Sequence, residues 1–217
     1  MIDEWDEYWS KKKRLENFIY DHIAVIYRLL IIKPSLKKYL NQYFRKGDVV
    51  LHAGCGSGQV EPTHPRATII GLDISHMALS TYRVHNTEPD LIRGDILGLG
   101  FKSESFDGIY NLGVMEHFND EEIHTILVEL NRVLKKDGTA ILFWAPENGT
   151  TVIIMRTIHL VLNTVFKRNV HLQPAEISLI QSGDWIEKRI RGTGFRIVEI
   201  GFGLSDLYTH KIVVMKK

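Results

Sequence analysis

Cysteine is almost absent from this sequence, because Cys55 is the only one among 217 residues. An intrachain disulfide is therefore excluded, and the composition is typical of a protein from a reducing compartment. We accordingly expect a cytoplasmic location. No spacing of cysteine and histidine resembles that of a zinc site, so we also expect no bound metal.

Long apolar runs and an excess of charge are lacking as well. No apolar stretch reaches the roughly eighteen residues that a membrane span requires. The 27 basic and 26 acidic residues leave a formal net charge of +1. The protein then has no overall electrostatic field that would favour binding to nucleic acid or to an anionic membrane, and we expect no nucleic-acid partner. The acidic and aromatic start of the chain does not resemble a signal peptide.

The pattern that is present is an alternation of short apolar strands with amphipathic helices. Strands that are apolar almost throughout indicate a parallel sheet covered by helices on both faces, which predicts a doubly wound α/β fold. We expect a single domain over residues 1–217, with a helical cap at 1–45. A helical insertion at 147–181 follows the fifth predicted strand.

A glycine-rich loop follows the first predicted strand. The apolar run Val49–Leu51 leads into Gly54, Gly56 and Gly58. Loops of this kind at the carboxyl edge of an open α/β sheet bind nucleotide-like ligands. A merely flexible turn would look the same, so the assignment depends on the strands that follow.

Polar residues stand at the ends of the next three predicted strands. Asp73 ends the second strand, Asp95 follows the third, and Asn111 lies at the end of the fourth. A carboxylate in the position of Asp73 can accept both hydroxyls of a ribose. Asp95 with its apolar neighbour Ile96 suits the amino group and ring of an adenine.

The segment after the loop argues against a dinucleotide. Gln59–Ala67 contains Pro62 and Pro65, which leave room for one turn of helix at most. A dinucleotide loop requires a longer glycine spacing that leads directly into a helix, whose N-terminus binds pyrophosphate. The third glycine here comes one residue too early, so NAD is disfavoured.

In order and spacing, these motifs resemble those of the class I S-adenosylmethionine-dependent methyltransferases, and the small-molecule branch is the closest match. The residues that carry the resemblance are Val49–Gly58, Gly71–Ser75, Gly94–Ile96, Phe106–Asp107, Val114–Phe118 and Leu130–Gly138. The resemblance implies a seven-stranded Rossmann-like sheet, mostly parallel, with the last strand antiparallel. It also implies S-adenosylmethionine as cofactor and S-adenosylhomocysteine as product.

The family's binding residues carry over by position. The resemblance assigns Asp73 to the ribose, and Asp95 with Ile96 to the adenine. The full set of predicted cofactor-binding residues is Trp9, His52, Gly54, Cys55, Gly56, Gly58, Asp73, Ile74, Asp95, Ile96, Asn111 and Leu112. One departure stands out, because the family usually has an acid where this chain has His52, near the amino group of the methionine moiety.

Transfer of a methyl group from a sulfonium is an in-line displacement in which positioning supplies much of the rate. A general base is needed only where the acceptor must lose a proton. His117 is the predicted catalytic residue, ahead of Glu116, and both follow the fourth strand. His159 and His171, in the insertion, are weaker candidates.

Two segments have more than one interpretation. Trp5, Tyr8 and Trp9 either pack the N-terminus against the body or cover a bound cofactor, whose sulfonium would attract aromatic faces. The amphipathic stretch 151–166 is a core helix, a lid over a substrate pocket or an interfacial membrane helix.

Three functions follow from these alternatives. The first is methyl transfer to oxygen or nitrogen of a small-molecule acceptor. The second is a membrane-surface methyltransferase for a lipid or lipid-linked acceptor, with a peripheral membrane contact through 151–166. The third is a non-catalytic, cofactor-binding regulatory subunit.

Overall fold

The structure is a computed structural model, and it describes residues 2–11, 24–62, 67–154, 156–157 and 176–217. Parts of the predicted N-terminal cap (12–23) and of the insertion (155 and 158–175) lie outside the described residues, as do His159 and His171. Within the described ranges, no helix combines the length and apolarity needed to cross a membrane.

A seven-stranded sheet forms the centre of the molecule, in the order β3-β2-β1-β4-β5-β7-β6. Its strands are β1 (Val49–Ala53), β2 (Thr68–Asp73), β3 (Asp90–Arg93), β4 (Phe106–Leu112), β5 (Leu134–Trp144), β6 (Arg196–Gly201) and β7 (Lys211–Lys216). Only β7 runs antiparallel to its neighbours β5 and β6. The predicted fold, a mostly parallel sheet whose last strand is antiparallel, is confirmed.

Helices flank the sheet, and their ends follow local sequence signals. They are α1 (Ile2–Lys11), α2 (Lys33–Tyr43), α3 (His76–His85), α4 (Asp120–Val133) and α5 (Gly183–Ile190). Residues 24–27, a π-helical segment Arg28–Ile32 and residues 150–154 are also helical. Asn119 and Glu122 form a capping box at the start of α4, which fixes where that helix begins.

The end of α4 differs from the sequence-based expectation. The pattern predicts a helix through Lys136 and a strand from Thr139, but the helix ends at Val133 and β5 starts at Leu134. Leu134 is fully buried and pairs with Phe106 of β4. Pairing with the neighbouring strand therefore outweighs the helical preference of the following lysines.

The core lies on both faces of the sheet. Along β4, Ile109 packs into the cluster beneath α4 and α5, whereas Tyr110 packs into the cluster beneath α2. This alternation buries the strand on both sides, as expected for a parallel sheet between two helical layers.

Strand β1 sits where the chain reverses its direction of winding. Its neighbours are β2 on one side and β4 on the other, both parallel to it. Open α/β sheets bind ligands in the crevice that forms at the carboxyl ends of such strands. The glycine loop after β1 opens into this crevice.

Candidate functional site

The glycine loop has a backbone that requires glycine. Gly54 and Gly56 have φ angles of +77° and +54°, in the left-handed region. A Cβ at Gly54 would lie 2.6 Å from Val114 Cγ2, and one at Gly56 would lie 3.1 Å from the Trp9 ring. The loop therefore leaves room for neighbouring groups to approach its backbone closely.

Asp73 joins this loop to the next strand. Its carboxylate accepts the Gly56 N–H at 2.8 Å and the Ser75 N–H at 2.9 Å. The side chain is 8% exposed, and burial raises the pKa of its carboxyl group. Carboxylate oxygens have further lone pairs, so Asp73 can also accept hydrogen bonds from a ligand.

A single cavity of about 470 Å³ runs along the carboxyl edge of β1, β2 and β4. Eleven of the predicted cofactor-binding residues line it: Trp9, His52, Gly54, Cys55, Gly56, Gly58, Asp73, Ile74, Asp95, Ile96 and Leu112. The structure therefore brings these dispersed residues to one place. A volume of several hundred cubic ångströms is typical of pockets for small ligands and cofactors.

Asn111 is the exception among the predicted residues. It is not among the described residues that line the cavity, although its neighbour Leu112 is. Successive side chains of a strand point to opposite faces. The Asn111 side chain is fully buried, and neither of its amide atoms has a hydrogen-bond partner within the described structure.

The part of the cavity that Asp95 and Ile96 line combines a carboxylate with an apolar side chain. Asp95 is exposed, and its Oδ1 accepts the Leu97 N–H at 2.9 Å. Ile96 is 6% exposed and belongs to the core cluster beneath α4. A ring placed here would meet an apolar surface beside a hydrogen-bond acceptor.

Cys55 is part of the loop but does not suit a nucleophilic role. Its side chain is buried, and burial raises the pKa of the thiol, with Asp73 and Glu61 adding to the effect. The reactive form of cysteine is the thiolate. Cys55 is therefore best suited to the role of a small packing residue.

Helix α1 packs over the cavity. Trp5, Tyr8 and Trp9 line it, and the ring of Trp5 stands edge-on to that of His117 at 5.1 Å. Asp6 anchors the helix, because its Oδ1 accepts hydrogen bonds from the Ser75 hydroxyl and from the Met77 N–H at the start of α3. This carboxylate at a helix N-terminus is electrostatically favourable.

A buried acid that the sequence analysis missed lies behind His52. Glu61 is 8% exposed, and its Oε2 is 2.7 Å from His52 Nδ1. The imidazole also stacks on the Tyr110 ring, at 4.2 Å between centroids. The sequence held one signal for this contact. Glu61 is the first acid after the glycine loop and lies in the short crossover that follows it.

The cavity lining also includes Glu116, His117 and His210. Glu116 is 4% exposed, and burial raises the pKa of its carboxyl group to about 7. Its Oε2 has no hydrogen-bond partner in the described part of the chain. A carboxyl group of this kind can exchange a proton near neutral pH.

Two backbone contacts anchor the end of the insertion to this site. The N–H groups of Ile177 and Ser178 donate to the Glu116 carbonyl at 2.7 and 3.1 Å.

His210 is held by Asp206, whose Oδ2 lies 3.1 Å from His210 Nδ1. In the described ranges, no group of three or more His, Cys, Asp or Glu residues is placed to hold a metal ion.

A glycine loop and a buried carboxylate at the switch point of a doubly wound sheet define a nucleoside-binding class of protein. Residues 51–142 match the family model described as a methyltransferase domain. In fold, the chain is similar to solved S-adenosylmethionine-dependent methyltransferases.

Two curated relatives carry the same name, tRNA (carboxymethyluridine(34)-5-O)-methyltransferase. The protein from Arabidopsis thaliana is 27% identical over 67% of this chain and 36% of its own length. The one from Saccharomyces cerevisiae is 27% identical over 65% of this chain and 52% of its own length. The chain thus spans about a third to a half of these relatives. Their names lend no support to the expectation that nucleic acid is excluded.

Among solved structures, magnesium protoporphyrin IX methyltransferase from Synechocystis, with bound S-adenosylhomocysteine, is similar in fold. Its TM-score is 0.65 at 18% identity, covering 100% of this chain and 97% of that chain. The residues present here fit S-adenosylmethionine, because the cavity joins a glycine cradle to the buried carboxylate of Asp73, which can accept further hydrogen bonds.

Proposed function

We propose that this protein transfers the methyl group of S-adenosylmethionine to an oxygen or nitrogen atom of a small-molecule acceptor. The observation that carries the proposal is the single cavity that contains both the glycine loop with Asp73 and the pair Glu116 and His117. The bound cofactor supplies an activated methyl group on a sulfonium. The protein supplies binding, orientation and a proton acceptor.

In this proposal, Asp73 accepts the ribose hydroxyls, and Asp95 and Ile96 bind the adenine. Gly54, Gly56 and the backbone around them accommodate the methionine moiety. These roles are supported by the placement of all five residues on the cavity. Asn111 would contribute through its backbone, since its side chain is buried away from the lining residues.

Two residues compete for the role of general base. The sequence favours His117, which is half-buried and contacts Trp5. Burial and a pKa of about 7 favour Glu116. We assign the proton acceptor to Glu116, with His117 beside it orienting the acceptor, because the Glu116 carboxyl group lines the cavity with an oxygen that has no hydrogen-bond partner in the described chain, and its pKa lies near the working pH.

The acceptor pocket is proposed to lie between the N-terminal helices and the insertion. Both segments line the same cavity as Glu116. The N-terminal helices contribute Tyr27, Arg28 and Ile32, and the insertion contributes Thr151 and Ile154. The Tyr27 hydroxyl is hydrogen-bonded to Thr209, and the Thr150 hydroxyl lies 3.4 Å from the same Thr209 oxygen, so the two segments meet next to His210. A pocket of this volume suits a compact acceptor, and the lone cysteine supports a cytoplasmic setting.

A second candidate acceptor is tRNA, favoured by the names of the curated relatives. The test incubates the full chain with S-adenosylmethionine and either a small-metabolite extract or bulk tRNA that lacks modifications, and measures S-adenosylhomocysteine. We expect turnover with the metabolite extract. Turnover with tRNA alone would mean that the acceptor is nucleic acid, and Asp73→Ala, whose cofactor binding should be weakened, serves as the control in both arms.

The other two alternatives are separated by further outcomes. Co-sedimentation with liposomes that contain anionic lipid would support the membrane-surface enzyme, and we expect no binding. S-adenosylhomocysteine binding without turnover on metabolites, tRNA or lipids would support the regulatory subunit.

Helix α1 yields a prediction about the cofactor. Deleting residues 1–13 should weaken binding of S-adenosylmethionine about two- to tenfold, because the aromatic faces of Trp5, Tyr8 and Trp9 would no longer cover a cationic sulfonium. Isothermal titration calorimetry measures the effect. Trp9→Ala should reproduce part of it, whereas Trp185→Ala, in α5 and outside the described lining of the cavity, should not. An unchanged affinity in the deletion would remove the covering role.

A further inference from the structure

Three pairs of neighbouring residues meet at one end of the cavity. The first member of each pair holds the structure together: the Tyr27 hydroxyl is hydrogen-bonded to Thr209 Oγ1, and Thr150 Oγ1 lies 3.4 Å from the same atom. These contacts join the N-terminal helices, the start of the insertion and the turn before β7. The residue that follows each of them in the chain lines the cavity, and these three residues are Arg28, Thr151 and His210.

The turn that leads to His210 is held from the side of the insertion. Leu207 and Tyr208 have φ angles of +54° and +61°, in the left-handed region that side chains rarely adopt. Thr150 holds both residues, since its hydroxyl donates to the Leu207 carbonyl and its N–H donates to the Tyr208 carbonyl at 3.1 Å. A strained turn persists only where its surroundings fix it, so this wall of the cavity has a defined shape.

Arg28 brings a positive charge to this end of the cavity. Ala24, Arg28 and Ile32 are spaced four residues apart in helical backbone and all line the cavity, so one face of the segment is turned toward it. The turn Arg28–Ile32 is π-helical, a rare geometry that is frequent at functional sites. Arg28 is half-buried, and in the described chain its guanidinium has no hydrogen-bond or ion-pair partner.

The acids at this end of the cavity do not neutralise that charge. Asp206 is fully buried, and its Oδ2 is engaged by His210. Glu116 and Glu176 line the cavity, but among the described residues neither lies within ion-pair distance of Arg28. Burial raises the pKa of the Glu116 carboxyl group to about 7, so near neutral pH this acid is only partly ionised.

Thr151 adds a second polar group without a partner. Its side chain is half-buried and lines the cavity, and within the described structure its hydroxyl forms no hydrogen bond. A hydroxyl can donate one hydrogen bond, and a guanidinium donates several in a fixed plane. A cationic fork beside a free hydroxyl is an arrangement that suits an oxyanion.

We propose that Arg28 and Thr151 form a subsite for an anionic group of the methyl acceptor, a carboxylate or a phosphate. The planar guanidinium matches two oxygens of such a group, and the Thr151 hydroxyl donates to the same group from the insertion. The inference rests on the proposed function, because it names a class of acceptor for the same cavity. The atom that receives the methyl group faces Glu116, and the anionic group is a second feature of the same molecule.

The test divides possible acceptors by charge. A metabolite extract is filtered to remove macromolecules, including tRNA, and is separated on an anion-exchange resin at pH 7. Each fraction is incubated with the full chain and S-adenosylmethionine, and the S-adenosylhomocysteine formed above a sample without enzyme is measured. We expect turnover to be about tenfold higher with the retained, anionic fraction. Phosphatase treatment of that fraction distinguishes the two anions, because it removes the activity of a phosphate and leaves that of a carboxylate.

Variants then test the two residues. Arg28→Gln should increase about tenfold the amount of anionic fraction that gives half the maximal rate. Arg28→Lys keeps the charge but not the planar fork, so the increase should be only about threefold. Thr151→Val removes one hydroxyl and should also cause an increase of about threefold. In all three variants, the affinity for S-adenosylhomocysteine in calorimetry should change by less than about twofold, which also shows that the protein is folded.

A matched control exists in Arg83, an exposed arginine of α3 that is not among the described residues lining the cavity. Arg83→Gln removes the same charge from the protein. It should leave both the response to the anionic fraction and the affinity for S-adenosylhomocysteine unchanged.

The outcomes separate this inference from the proposed function. Turnover confined to the unretained fraction would overturn the anionic subsite and leave methyl transfer to a small molecule intact. A wild-type response of Arg28→Gln to the anionic fraction would overturn it too. So would an equal loss of affinity for S-adenosylhomocysteine, because Arg28 would then belong to the cofactor site. If neither fraction supports turnover by the wild-type protein, the proposed function itself fails.

Discussion

Replacing Asp73 with alanine is expected to weaken binding of S-adenosylhomocysteine by about 1–3 kcal/mol, or roughly 5- to 150-fold. The proposed ribose bonds would be lost. The N–H groups of Gly56 and Ser75 would also lose their common acceptor, so the glycine loop would no longer be tied to the start of α3. Calorimetry measures the dissociation constant directly, without knowledge of the acceptor.

Asp95→Ala is the matched control for this experiment. Asp95 also lines the cavity, but it is exposed, so its hydrogen bonds compete with water and its loss should matter less. An Asp73→Ala protein that binds with wild-type affinity would refute the ribose assignment. Equal effects of the two substitutions would indicate that burial does not determine how much each of the two acids contributes to cofactor binding.

Glu116→Gln is expected to change how stability depends on pH. The ordinary pKa of a glutamate is 4.5, and burial raises that of Glu116 to about 7. A raised pKa means that the folded state holds the proton more tightly than the unfolded state. The wild-type protein should therefore lose about 3 kcal/mol relative to the variant as the pH rises from about 4.5 to about 7.

Urea unfolding of both proteins between pH 5 and pH 8 measures this difference, and contributions of groups that do not interact with Glu116 cancel in it. Glu187→Gln, an exposed glutamate of α5, is the control and should follow the wild-type profile. A difference between Glu116→Gln and wild type that stays constant across this range would contradict the raised pKa. The proposed proton acceptor would then have to be His117.

The sequence predicted the fold well because its signals are local. Strands that are apolar throughout, the Asn119–Glu122 capping box and the glycine turn each follow from neighbouring residues. The end of α4 was misplaced because Leu134 pairs with Phe106, which is remote in the chain. Propensity is a weak guide wherever such pairing competes with it.

The convergence of the predicted cofactor-binding residues on one cavity has a related reason. In a parallel sheet, residues at the carboxyl ends of strands converge at one edge, so Asp73 and Asp95 could be placed beside the glycine loop without coordinates. The pairing of His52 with Glu61 could not be placed in this way. It depends on the path of a short irregular crossover, which no periodic pattern describes.

By itself, the sequence determined the class of fold and the edge of the sheet at which the predicted cofactor-binding residues converge, since both depend on strand order and on residues at strand ends. Only the tertiary structure decided the electrostatics of the site. It placed Glu61 behind His52, docked Asp6 on α3 and enclosed Glu116. Burial and long-range contacts set the charge of a side chain, and both exist only after the chain has folded.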